Sequence, residues 1–423
     1  MKLRRFISKV TIVTIIGSSF LGFFNSVSAE HITVDKDNPV IEATNNLIIE
    51  RNPQKKGYTI ESSAITEGRA TIYKKAANAA KKRPERLDGL ETGVHPQYLD
   101  GYGSQAIKFN DFKATDTVKV TYNYVGKYKG KDIKAVMTLS NMKKVKGVAV
   151  FYEEAAIDFS ENLFSGYFFL NMNQLDTKYE FFEAESGNKI TLGGDSYFTI
   201  NSLNTGEYVA YKTTDKNLNS YTTHNTLVNY SANPNYPAET EKVWLGIALG
   251  GGNAENDFED VLGADSFKRA TVSFQVAGDS QVLKVGSKNG LAWNSLNSAT
   301  LFSVQPEKPT KKVVDLSGKD INKVQVKHGQ EISYLITQKV NILGQDLLEK
   351  YKKFIITDPL PKEVTFLSAE LINDKGAVIP NAGTIALDKD TNTLTFTGND
   401  HLLKEVMVYE GESYSLKVNV RVD

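Results

Sequence analysis

From Asp116 onward, hydrophobic and polar positions alternate with a period of two. Val118, Val120, Tyr122 and Tyr124 fall on one side of the chain, and Thr117, Lys119, Thr121 and Asn123 fall on the other, which is the signature of a half-buried strand. Similar stretches recur at Ile133 to Leu139, Val148 to Tyr152, Tyr167 to Met172, Tyr179 to Phe182, Tyr197 to Ile200, Glu207 to Tyr211, Val243 to Leu249, Ala270 to Val276, Gln281 to Val285 and Ala299 to Val304. Gly and Asn turn signals punctuate them, among them Ser186-Gly187-Asn188, Gly193-Gly194, Asn204-Thr205-Gly206 and Asn289-Gly290. Many short strands with little helical pattern predict an all-β fold, here a large antiparallel sandwich. One run, Arg69 to Arg86, reads as helix: alanines interleave with lysines, and Pro84 closes it. Its basic face is either a contact for an anionic polymer or a solvated surface.

The pattern breaks at Pro306-Glu307-Lys308-Pro309, a predicted linker. A second all-β stretch follows, with strands expected at Lys312 to Val314, Glu331 to Lys339, Phe354 to Thr357, Val364 to Leu371, Thr393 to Thr397 and Ser413 to Val422. Its size suits an immunoglobulin-like sandwich.

The N-terminus changes the compartment. Lys2, Arg4, Arg5 and Lys9 precede an apolar run from Val10 to Phe24, and Val27-Ser28-Ala29 supplies small residues for cleavage, so residues 1–29 read as a secretory signal peptide. Gly17, Ser18, Ser19 and Gly22 make that run a poor membrane span, and no second apolar segment follows. The expected organisation is a signal peptide at 1–29, an N-terminal extension at 30–67, a head domain at 68–305, a linker at 306–310 and a second domain at 311–423. Such a chain is secreted or held at the cell surface or wall. With 50 Lys+Arg against 50 Asp+Glu, it carries no electrostatic footprint for nucleic acid. The absence of Cys excludes disulfides, thiol nucleophiles and Cys-based zinc sites.

Candidate chemistry is sparse. No two of the five His fall at a metal-ligand spacing, so a zinc hydrolase is disfavoured. Gly250-Gly251-Gly252 lacks the Lys and the helix that a phosphate cradle needs. In the acidic cluster around Glu255, the carboxylates of Asp257, Glu259 and Asp260 are hard oxygen ligands of the kind Ca²⁺ takes, without the spacing of an EF-hand loop. Glu153 and Glu154 are strand neighbours pointing to opposite faces, so they cannot flank one glycosidic bond. Glu239 and Glu241 share a face but lie beside Pro234 and Pro237. A secreted carbohydrate-active enzyme therefore stays as the alternative to a binding protein. The two Trp are the better ligand candidates, because sugar rings stack on aromatic faces while their hydroxyls seek amides and carboxylates. Trp293 sits in Trp293-Asn294-Ser295-Leu296-Asn297, which nominates Trp293, Asn294 and Asn297, and Trp244 on a predicted strand is the fourth candidate. Core packing is the competing reading for both rings.

These segments carry a resemblance. Thr121-Tyr122 through Tyr128-Lys129-Gly130-Lys131-Asp132-Ile133, then Glu185-Ser186-Gly187-Asn188-Lys189-Ile190, Ser202-Leu203-Asn204, Trp244-Leu245-Gly246 and Trp293-Asn294-Ser295-Leu296-Asn297 resemble the adhesive domain of glucan-binding protein C and the variable region of the antigen I/II adhesins. The likeness covers about residues 60–305 in order. It implies a lectin-like β-supersandwich on a surface protein of Gram-positive cocci that binds glucans or host glycoproteins and performs no catalysis. Related aggregation-type domains bind DNA or wall polymer such as lipoteichoic acid. The alanine-rich and proline-rich stalks of antigen I/II are absent.

The second domain resembles the isopeptide-forming C-terminal domains of the same adhesins and of fimbrial subunits. The resemblance rests on Lys311-Lys312-Val313-Val314-Asp315, Gly318-Lys319-Asp320-Ile321-Asn322, Gly329-Gln330-Glu331-Ile332-Ser333-Tyr334 and Phe354-Ile355-Ile356-Thr357-Asp358-Pro359. In such domains a first-strand Lys condenses with a last-strand Asn, assisted by a buried Asp. The resemblance implies Lys312 as the Lys, with Lys311 in reserve, Asp358 as the Asp, and Asn419 as the Asn available on the final strand.

Overall fold

The computed structural model describes residues 45–74, 104–144, 155–212, 218–231, 243–247, 267–304, 306–340, 350–409 and 411–423, apart from 51–52, 54, 56, 205, 299 and 302, and the short segments 11–12, 31–34 and 40–41. The chain is all-β and almost wholly antiparallel.

The head is built on a nine-stranded sheet. Its strands are β1 (Leu47–Ile49), β2 (Tyr58–Ser62), β5 (Val118–Tyr128), β6 (Lys131–Lys144), β9 (Met172–Glu183), β11 (Glu207–Lys212), β13 (Val228–Ser231), β14 (Val243–Gly246) and β16 (Gln281–Ser287). They run in the order β13-β14-β11-β16-β9-β6-β5-β1, with β2 also paired to β5. A five-stranded sheet of β3 (Ala70–Lys74), β4 (Ser104–Phe109), β7 (Ala155–Ser160), β8 (Tyr167–Leu170) and β17 (Leu291–Asn294) has the order β17-β8-β7-β4-β3. In a third sheet β10 (Leu192–Ile200), β15 (Val272–Gly278) and β12 (Ser220–Thr223) are joined by His31–Val34, which lies parallel to β12. One apolar cluster draws on all three sheets, with Val120 and Leu139 from the first, Ile157 and Phe169 from the second and Phe198 and Phe274 from the third.

Two strand expectations are revised. Ala70–Lys74, expected as the start of a helix, is an edge strand in which Ile72 pairs with Ile107, and residues 75–86 lie outside the described residues. A sheet edge offers five residues a complete ladder, which overrides the modest helix propensity of Ala and Lys. Tyr124 was expected on the core face of β5. A bulge between Tyr122 and Gly126 shifts the phase, so Val125 is buried and Tyr124 turns outward to donate to Glu50. Gly126 makes the bulge feasible: its φ is 142° and a Cβ there would lie 2.0 Å from the Ile48 carbonyl oxygen. The stretch at 45–67, expected as an extension, supplies β1 and β2, and Leu47, Ile49 and Ala64 belong to the head core.

The C-terminal domain is a two-sheet sandwich. One sheet has β18 (Thr310–Val314), β19 (Glu331–Lys339), β24 (Ser413–Val422) and β21 (Val364–Ile372) in the order β18-β19-β24-β21. The other has β20 (Ile355–Pro359), β23 (Thr393–Gly398) and β22 (Gly383–Asp388) in the order β20-β23-β22. On the free side of β20, Thr11–Ile12 pair antiparallel with Ile356 and Thr357. The core of this domain is a separate cluster that includes Ile336, Ile356, Leu394, Phe396, Leu416 and Val418.

Candidate functional site

The sequence candidates in the head separate onto different faces. In the five-stranded sheet, Asp158 pairs with Ala106 and Phe168, and Phe168 pairs with Trp293. Paired residues of an antiparallel sheet share a face, so Asp158, Phe168 and Trp293 form a row across three strands. The neighbouring row, Ile107, Ile157, Phe169 and Ala292, faces the other way into the head core. The row holding Trp293 is also buried, Asp158 to 2% and Trp293 to 5% exposure, but belongs to none of that cluster. The Trp293 indole Nε1–H donates to the Ser165 carbonyl at 2.7 Å. An acid beside two aromatic rings is the side-chain set a glycan recruits.

Asn294 and Asn297 do not join that row. Asn294 pairs with Tyr167 on the core-facing side, and its backbone carbonyl closes over Gly166, where a Cβ would lie 1.9 Å away. Asn297 exchanges backbone hydrogen bonds with Thr199, at 2.9 and 3.2 Å, and is fully buried. Both are buried, as are Asn201, Ser295 and Ser298, and Asn201 Nδ2 lies 3.5 Å from Ser295 Oγ. Trp244 is core: its ring packs tilted at 4.9 Å on Tyr230 and meets Phe274 edge-on at 4.8 Å. Asp158 and Phe168 escaped the sequence reading, although an acid inside the apolar run Ala155-Ala156-Ile157-Asp158-Phe159 is a signal. Asp257, Glu259 and Asp260 lie outside the described residues. Among the described residues no group of three or more His, Asp or Glu could hold a metal ion, and no helix is long and apolar enough to cross a membrane.

In the C-terminal domain Lys311, and not Lys312, lies beside Asp358. Lys311 Nζ sits 2.7 and 2.8 Å from the two carboxylate oxygens of Asp358 and 4.4 Å from the centroid of the Tyr334 ring. Asp358 is wholly buried and the Lys311 side chain is 19% exposed. Strand alternation explains the choice: Lys311 pairs with Ile336, which pairs with Leu416, so this row faces the core, while Lys312 is exposed. The same alternation removes Asn419. It pairs with Ser333 and Ser368 on the opposite face of the sheet, accepts from Ser333 Oγ at 2.6 Å and donates to Ser368 Oγ at 2.9 Å. Asp358, on the other sheet, faces the space between the two sheets, whereas Asn419 lies on the face of its sheet turned away from that space.

Comparison with known proteins gives one family match. Residues 309–423 match the model of the cell surface antigen I/II C2 terminal domain. A search of curated proteins finds no match. Among solved structures, the N-terminal domain of the Streptococcus gordonii adhesin Sgo0707 is similar at 12% identity and TM-score 0.40, covering 94% of this chain and 91% of that one. The adhesin domain of PrgB from Enterococcus faecalis, bound to DNA, is similar at 17% identity and TM-score 0.43, covering 62% and 97%. Glucan-binding protein C of Streptococcus mutans is similar at 15% identity and TM-score 0.34, covering 58% and 77%. Likenesses at these scores identify no shared ligand.

Proposed function

We propose that this protein is an exported cell-surface adhesin whose β-sandwich head binds a polysaccharide or glycoprotein and whose C-terminal domain is a load-bearing stalk. The observation that carries this reading is the match of residues 309–423 to a C-terminal domain of cell surface antigen I/II, placed directly after a large β-sandwich. The row Asp158, Phe168 and Trp293 is the candidate sugar contact, because its rings and carboxylate lie on the one face of the five-stranded sheet that the main core does not use.

In the stalk, the Lys311–Asp358 pair supplies two of the three groups of an amide crosslink. Asp358 accepts a proton from Lys311 Nζ, freeing an amine nucleophile, and hands that proton to the departing nitrogen of a carboxamide. Such a bond does for a Cys-free exported protein what a disulfide does elsewhere, limiting extension under load.

The test is a glycan array that includes α-glucans, probed with the chain starting at Glu30. Saturable binding weakened by Asp158→Asn and Trp293→Phe, with unchanged melting, supports the lectin-type adhesin and its site. Binding unaffected by both variants makes the row packing. Binding to no glycan, with salt-sensitive binding to duplex DNA or lipoteichoic acid, moves the ligand to an anionic polymer.

A further inference from the structure

We infer that the free edge of β22, Gly383–Asp388, is a self-pairing surface that takes the same strand of a second copy of this chain, antiparallel, about a two-fold axis at Ile385. The inference depends neither on the ligand of the head nor on a crosslink at Lys311.

Four strands border the two sheets of the C-terminal domain, and among the described residues three of them are blocked. Beside β18, Asp320 bridges to Val314, and the Ile321 N–H donates to the Val313 carbonyl at 2.9 Å. Thr11–Ile12 run along β20. β21 carries a bulge between Phe366 and Ser368, and its far end is covered where the Ile379 N–H donates to the Leu371 carbonyl at 2.8 Å. Bulges, covering segments, lysines and prolines are the devices that keep a sheet edge from pairing with another chain. β22 has none of them: all of its residues but Leu387 are exposed, and from Gly383 to Leu387 it carries no charge and no Pro.

The register fixes which backbone groups face outward. The Asn399 N–H donates to the Ala382 carbonyl at 3.0 Å, so Ala382 and Asn399 are a hydrogen-bonded pair, and the alternation of an antiparallel ladder makes Thr384, Ala386 and Asp388 the next ones. The N–H and C=O groups of Gly383, Ile385 and Leu387 therefore point away from β23, and no described residue bonds to them. These three positions are symmetric about Ile385. A second copy laid antiparallel on this edge puts its Leu387 opposite Gly383 and its Ile385 opposite Ile385, each pair exchanging two hydrogen bonds. Its Ala386 falls opposite Thr384 and its Ala382 opposite Asp388, so no like charges meet. An edge that matches itself is what an isologous two-fold contact requires. Apolar surface favours the same occupant. Ile385 shares a face with the core residues Phe396 and Ile356 yet stays 39% exposed, and Leu387 beside it is half-buried. Pairing sets the two Ile385 side chains against each other and removes that apolar surface from water.

Strand direction gives the contact its geometry. The head joins the domain at Thr310, one end of β18, and the strands of a sandwich stay within about 30° of one another. Antiparallel pairing therefore points the two heads in opposite directions, as for molecules on facing surfaces. A six-residue edge buries less than the roughly 1,200 Å² of a standard interface, so one contact is weak and many copies on a surface make it effective.

The chain has no Cys, so a single introduced thiol reports the pairing. Opposed residues of a hydrogen-bonded pair have Cα atoms about 5.5 Å apart, within reach of a disulfide, whereas the two copies of Thr384 sit diagonally at about 7–8 Å, beyond it. The chain starting at Glu30 is oxidised as Ile385→Cys and as Thr384→Cys across a concentration series. A disulfide dimer is expected to form several-fold faster from Ile385→Cys. Sedimentation equilibrium of the parent is expected to show a weak dimer that is lost in Ile385→Pro, which removes an outward N–H and leaves the bonds to β23 in place. Urea unfolding followed by circular dichroism checks that each variant is folded. Selective trapping at Ile385 supports the contact even where the parent dimer is too weak to resolve. Equal rates for the two thiols reduce the contact to random collision and overturn the inference, as does a parent dimer that survives Ile385→Pro. Monomer at every concentration, with no disulfide from either variant, overturns it as well.

Discussion

Removing either partner of the Lys311–Asp358 pair should destabilise the C-terminal domain, and the two losses should be unequal. Asp358 has no exposure, whereas the Lys311 side chain keeps 19%. Lys311→Met strands a carboxylate with no route to water, which places it at about 3–5 kcal/mol, the range for an uncompensated buried charge. Asp358→Ala leaves a long ammonium side chain that can swing out into solvent, so its cost should be about 2 kcal/mol. The double variant replaces the pair by apolar groups and should return to within about 1 kcal/mol of the parent. Urea unfolding followed by far-UV circular dichroism measures the C-terminal domain. Both Trp lie in the head, so Trp fluorescence reports the head transition alone and should not move. An Asp358→Ala loss equal to that of Lys311→Met, or a double variant whose loss is the sum of the singles, would refute the reasoning from burial. The chain used must show an intact mass with no ammonia missing.

Two glycines at positive φ should respond very differently to Ala. Gly166 (φ 64°) faces the Asn294 carbonyl at 1.9 Å from a built Cβ and should lose about 3 kcal/mol or more, while Gly130 (φ 79°), with open space, should lose about 1 kcal/mol, both read by Trp fluorescence in urea. Asp195 carries a pH dependence. Partial burial pushes its carboxyl up, but hydrogen bonds from Lys129, Asn46 and Tyr128 outweigh that and hold it at about 2. Because the folded value lies below the unfolded one, its contribution is present above about pH 4 and is lost as the pH falls toward 2. Asp195→Asn should therefore cost about 1–2 kcal/mol near neutrality, after solvent screening, and converge with the parent in acid melts. Persistence of the full difference at about pH 2 would show that the loss is steric.

Much of the fold is legible because a period of two needs only the local chain. Ile133 to Leu139 and Glu331 to Lys339 read as strands and are strands, β6 and β19. What escaped has a physical reason in each case. Ala155–Ser160 has both faces covered, so it shows no alternation; all but its first residue are buried. Gly383–Asp388 is an exposed edge whose apolar face is only Ile385 and Leu387, too short a run to read as an alternation. Ala70–Lys74 is decided by a partner strand beginning at Ser104, which local propensity cannot see.

The site shows the same division more sharply. Choosing between Lys311 and Lys312 is a question of strand phase, and two adjacent lysines at the start of a strand give the local sequence no way to fix it. The phase comes from Ile336 and Leu416, two strands on, which bring the Lys311 row inward. The cluster Trp293, Asn294 and Asn297 looked like one binding set because it is contiguous in sequence. A strand separates contiguous residues by design: Trp293 goes to one face and Asn294 to the other. The partners Trp293 acquires, Phe168 and Asp158, are distant in the chain and adjacent in register. In an all-β head of this kind, residues that meet one ligand are therefore found along the hydrogen-bonding direction of a sheet, across strands. A ligand contact should be sought by pairing register first and by sequence proximity second.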